Sequence, residues 1–134
     1  MHSDVREVLR ECVAGVDEGR LNFTELVTKL AEVGAEGYYA DFRRAEKTYY
    51  VGKGRCYVLQ SASLAVRLAE DFSIEEVRSA GKAMGTGEIT YIRFCELLAA
   101  AGCVGYFVSL SARRVVYYGR RAESLVEPFE EATG

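Results

Sequence analysis

GRLNFTELVTKLAEVGAEGYYADFRRAEKTYY, residues 19–50, lies without gaps against GEITYIRFCELLAAAGCVGYFVSLSARRVVYY, residues 87–118, at an offset of 68. Eight of the 32 positions are identical: Gly19/Gly87, Leu30/Leu98, Ala31/Ala99, Gly34/Gly102, Gly37/Gly105, Tyr38/Tyr106, Tyr49/Tyr117 and Tyr50/Tyr118. Leu21/Ile89, Phe23/Tyr91, Leu26/Phe94, Tyr39/Phe107 and Phe42/Leu110 are exchanges that conserve apolar volume. The pattern predicts an internal duplication, and repeats decide how the rest of a chain is read.

Working outward, each half shows the same order of signals. Asp4 with Glu7 fits a capping pair ahead of the apolar stripe Val5, Val8, Leu9, Cys12, Val13 and Val16. Asn22 with Glu25 opens a second helix, in which Phe23, Leu26, Val27, Leu30 and Val33 recur at helical spacing until Gly34 stops it. The period then falls to two. Tyr38, Ala40 and Phe42 alternate with Tyr39, Asp41 and Arg43, and turns at 44–46 and 52–54 predict a three-stranded meander ending near Gln60. In the second half Ser73 with Glu76 starts a helix to about Met84, a second helix spans about 90–101, and strands fall near 104–111, 113–119 and 124–127. Residues 61–72, with Leu64, Val66 and Leu68, read as a connecting helix. The expected architecture is α+β: two tandem helix-helix-three-strand units, about 4–60 and 73–129, sharing one core in a single domain over 1–134. Whether the six strands form one sheet or two is open at this level.

Composition sets the boundaries of function. A chain of 134 residues, 49% hydrophobic and 28% charged, buries a core without staples. Its 17 basic and 20 acidic residues leave a net charge of −3, so no global field draws it to nucleic acid or an anionic membrane. Cys12, Cys56, Cys95 and Cys103 show no paired spacing, and the single histidine is His2, so neither a metal site nor a disulfide framework is signalled. No secretory pattern or long apolar run is present, which makes the cytoplasm the expected location.

Chemistry-bearing motifs are few. The Gly19 and Gly87 loops have the outline of a calcium-binding helix-loop-helix, but Ala14 and Val16 occupy two ligand positions and Arg93 a third, which excludes it. Arg113, Arg114, Arg120 and Arg121 bracket Tyr117-Tyr118, while Arg43, Arg44, Lys47, Lys53 and Arg55 surround Tyr49-Tyr50. Such a hairpin either grips phosphate and bases or carries solvated turn cations over packed tyrosines; Glu123, Glu127, Glu130 and Glu131 dilute the second patch. With no histidine beside a nucleophile, most hydrolase designs fall away. Cys103, after Gly102, is the candidate reactive thiol and equally a packed small hydrophobe.

The blocks FTELVTKLAEVGAEGYYADF, KTYYVGKG and AAAGCVGYFVSLSARRVVYYGR resemble the YbcV-like family of small bacterial and prophage-encoded proteins over nearly the whole chain. Members are commonly labelled phage envelope protein. The resemblance implies a mixed α+β fold and brings no catalytic residues.

The functional expectation is a non-enzymatic protein that recognises a protein or small ligand through the duplicated sheet and the cleft between units. Its candidate surface is Tyr39, Asp41, Arg43, Tyr50, Phe107, Arg113, Arg114 and Tyr118. The same surface also suits a homodimer. No cofactor is implied. The alternatives are a small enzyme using Asp41, a tyrosine or Cys103 in the cleft, and, least favoured, local nucleic-acid binding through the Arg/Tyr hairpin.

Overall fold

The computed structural model describes residues 4–129; His2, Glu130 and Glu131 lie outside them. The elements follow in the order α1 (Val5–Asp17), α2 (Phe23–Glu32), β1 (Ala35–Asp41), β2 (Glu46–Val51), β3 (Arg55–Gln60), α3 (Ile74–Gly85), α4 (Tyr91–Ala100), β4 (Cys103–Ser109), β5 (Arg114–Gly119) and β6 (Ser124–Pro128). All six strands join one antiparallel sheet in the order β3-β2-β1-β4-β5-β6, with the helices on one face.

Local chemistry starts each helix. The Asn22 side chain accepts from Glu25 N while Glu25 accepts from Asn22 N, a complete capping box. Asp4 accepts from Arg6 N instead of Glu7 N, and the Glu7 carboxylate accepts from Arg10. Ser73 and Thr90 cap α3 and α4 through Glu76 N and Arg93 N. Gly34 and Gly102 follow α2 and α4 with φ of +78° and +84°, the left-handed step that lets the chain leave a helix directly into a strand.

The central ladder is symmetric under the 68-residue offset. Tyr39 faces Phe107, its own counterpart; Gly37 faces Ser109 while Asp41 faces Gly105; Tyr38 faces Val108 while Ala40 faces Tyr106. Even the irregularities match, because the register of β1 with β2 shifts between Ala35 and Gly37 and that of β4 with β5 between Cys103 and Gly105.

Residues 61–73 form no helix, contrary to the sequence expectation. Leu64, Val66 and Leu68 are spaced by two, so a helix would scatter them around its axis. Their backbone is tied outward instead: Ala62 N donates to Asp17 Oδ2, Ala69 N to Ala99 O and Ser73 N to Ala101 O.

The core lies between the helices and the sheet face carrying Tyr38, Ala40, Lys47, Tyr49, Tyr106, Val108 and Tyr117, packed under Leu9, Leu26, Leu30, Val77 and Leu98. The other face carries no helix. There, Phe107 lies over Gly37, where an added Cβ would come within 2.9 Å of the ring and 2.5 Å of Val108 O, and Tyr39 lies in the same way over Gly105. The two glycines make room for the aromatics diagonally across the ladder.

Candidate functional site

A hollow of about 240 Å³ opens between the two helix pairs. Its floor is Tyr38, Tyr106, Val108, Val115 and Tyr117 from the sheet, with Tyr91 and Phe94 from α4 as one wall. Asn22, Phe23 and Thr24 at the start of α2 and Arg78, Gly81, Lys82 and Met84 on α3 form the rim. The space depends on Gly81, where a Cβ would meet the Tyr117 hydroxyl at 2.9 Å. Phe23 and Phe129 close one side, edge to face at 5.0 Å, and Arg78 pairs with Glu127 across the rim at 2.7 Å. At the bottom the hydroxyls of Tyr91 and Tyr106 share a buried hydrogen bond of 2.7 Å. Burial holds both phenols neutral by pushing their pKa values well above the usual tyrosine range. An enclosure lined by aromatic carbon with a few hydroxyls suits a planar, largely apolar ligand with a polar substituent.

The opposite side of the molecule is filled. Positions 68 residues earlier place Lys47 where the floor has Val115, and Asp17 where the rim has Gly85. The hollow there is about 10 Å³, lined by Asp17, Lys47, Ser61, Ala62, Tyr91 and Cys95 among others. Lys47 is 1% exposed, with Nζ 4.2 Å from the centre of the Tyr91 ring. Among the described residues Lys47 Nζ, Asp17 Oδ1 and Tyr49 Oη are the buried side-chain polar atoms without a hydrogen-bond partner. Burial lowers the Lys47 pKa, partly opposed by Cys95, Asp17 and Cys12. Its sequence reading as one of the hairpin cations, gripping phosphate or solvated at the turn, is therefore corrected. Lys47 alternates with Glu46 and Thr48 and shares the parity of Tyr49 and Val51, the signal that places it inward.

The surface residues singled out from sequence fall into four places. Tyr39, Tyr50, Phe107 and Tyr118 come together on the helix-free face, with Tyr39–Tyr118 and Tyr50–Phe107 ring centres each 6.2 Å apart. These two contacts exchange under the 68-residue offset. Burial raises the Tyr39 pKa, helped by Asp41. Arg43 borders this quartet together with Arg120 in a shallow depression. Asp41 serves the turn, accepting from Arg43 N and Arg44 N. Arg113 swings to the helical side, its guanidinium 5.1 Å from the centre of the Phe129 ring, while Arg114 stays exposed at the start of β5. Arg120 and Arg121 sit at the other end of β5 against Leu68 O, Glu70 O and Asp71, so the four arginines do not form one patch. Cys103 is fully buried and its thiol donates to Gly105 O at 3.2 Å; burial pushes its pKa up to about 12. A thiol held in this way stays protonated at neutral pH.

Sequence reasoning did not find the hollow. Tyr106 and Tyr117 were visible only as strand residues and Tyr91, Phe94 and Gly81 only as helix positions, because spacing along one element does not say what a second element leaves empty. Among the described residues no three His, Cys, Asp or Glu side chains gather as metal ligands, and no helix is long and apolar enough to cross a membrane. The family model that matches the chain is described as a protein of unknown function, DUF1398, and covers residues 11–128. No curated protein matches the chain.

Proposed function

The chain belongs to the DUF1398 family of proteins of unknown function, and we propose that it is a binding protein that holds a small aromatic ligand in the cleft between its helix pairs. The observation that carries this reading is the hollow of about 240 Å³ over the Tyr91–Tyr106 hydroxyl pair. Protein interiors rarely keep voids larger than a water molecule. A cavity of about 150 Å³ takes up benzene, so on that scale this one accepts roughly ten non-hydrogen atoms. Support comes also from the asymmetry: one side of a repeated framework is plugged by Lys47, while the equivalent side is left open above Val115. We read the two halves as copies of one ancestral unit, in keeping with the resemblance to the YbcV-like bacterial and prophage proteins. In this reading the second copy kept the pocket.

An enzymatic role has less support, because Cys103 is protonated and enclosed and Asp41 is occupied by its turn. Nucleic-acid binding lacks a continuous basic surface, since the arginines of β5 lie at its two ends. The test is an amide NMR titration with 4-hydroxybenzoate and with indole as probes. Saturable shifts at Gly81, Tyr91, Tyr106 and Val108 are expected, and they disappear in Val115→Phe while its melting temperature holds. Absence of saturable shifts at these residues at millimolar concentrations of both probes overturns the proposal.

A further inference from the structure

The helix-free face of the sheet carries a second inference, independent of the pocket. Across the six strands its middle row reads Val58, Thr48, Tyr39, Phe107, Val116, Val126, without a charge. Val58 is 47% and Val126 51% exposed, and with Tyr50 at 42% they are three of the four exposed large hydrophobics among the described residues. A sheet face of six strands, each five to seven residues long, spans roughly 500 Å². Two such faces pressed together bury about 1,000 Å², the size at which specific interfaces begin.

We infer that this face is covered by a second copy of the same chain, stacked with its strands antiparallel and with the twofold axis running along the middle row. The pattern on either side of that row selects this arrangement. On β5, Arg114 and Tyr118 are equidistant from Val116, so a twofold through Val116 sets each copy's Arg114 guanidinium over the other's Tyr118 ring. On β2, Glu46 and Tyr50 are equidistant from Thr48, so the same operation brings each Tyr50 hydroxyl toward the other's Glu46 carboxylate, which already accepts from Arg44 at 2.6 Å in its own chain and has further lone pairs to accept a second donor. A twofold contact must be self-complementary, and this face meets that condition at cation–aromatic and phenol–carboxylate positions around an apolar centre.

Sedimentation velocity on the full chain tests the state of association, and a dimer at micromolar concentration is expected. Val58→Lys with Val126→Lys changes only exposed side chains and is expected to raise the dimer dissociation constant at least tenfold without moving the melting temperature. A wild-type monomer at hundreds of micromolar overturns the inference, and so does a double variant that stays dimeric. The register is read with a short bismaleimide cross-linker: Val116→Cys in a Cys56→Ser background links to itself, because it lies on the axis. Wild-type Cys56 does not, because it is set against Gln60 of the second copy. A dimer that links through Cys56 and not through residue 116 overturns the arrangement.

Discussion

At the scale of single residues the telling position is Lys47. A lysine whose folded-state pKa is lowered binds fewer protons folded than unfolded between that pKa and the ordinary value near 10.5. Stability attributable to this group therefore rises with pH across that window and is lowest below it. Asp17 and Cys12 on α1, Cys95 and Tyr91 on α4 and Tyr38 on β1 are titratable groups facing it, and none donates or accepts a hydrogen bond with Nζ. An ammonium buried without a hydrogen-bond partner carries a desolvation cost that an apolar chain of similar length does not. Lys47→Met is expected to gain about 1 kcal/mol at neutral pH in urea denaturation. It also removes the rise in stability between neutral pH and 10.5, and a variant that keeps the rise refutes the assignment to Lys47.

At the scale of elements, helix starts were legible in the sequence because their chemistry is local. Asn22 and Ser73 satisfy backbone N–H groups three residues away, and such spacing needs no knowledge of the fold, whereas Thr90, read as the first residue of its helix, proves to be its cap. The strands were equally legible, since Tyr38 and Ala40 alternate with Tyr39 and Asp41 on a ladder buried on one face. The segment 61–73 was misread because its backbone bonds go to Asp17, Ala99 and Ala101, residues brought near only by tertiary folding. The pocket was illegible for the same reason: its floor is strand, its rim helix, and its volume the difference between them. The start of α2 links the two levels. Removing its cap by Asn22→Ala is expected to cost about 1 kcal/mol of stability. Because Asn22, Phe23 and Thr24 form part of the rim, the same change is expected to weaken binding of the aromatic probes. Unchanged stability measured by thermal denaturation refutes the structural half of this prediction.

At the scale of the molecule the two halves are joined along the middle of a single sheet, through β1 and β4, and through the contact of α1 with α4. Tyr38 and Tyr106 meet across this seam at 6.1 Å between ring centres. Neither half buries its inner strand edge alone, so the 134-residue chain is expected to unfold in one transition. The protein contains no tryptophan, so tyrosine fluorescence and far-ultraviolet circular dichroism report on it together. Coincident denaturant curves are the expected result, and two separated midpoints refute it.

The place of β1 beside β4 also sets an interval during synthesis. The first meander is complete at Gln60, yet the second edge of β1 has no neighbour until the chain reaches Cys103–Ser109. At translation speeds of about 5–20 residues per second, that edge, with Tyr38 and Ala40 beside it, stays bare on the ribosome for several seconds. Neighbouring ribosomes on one message therefore carry identical unpaired strands at the same time, each waiting for its own partner to emerge.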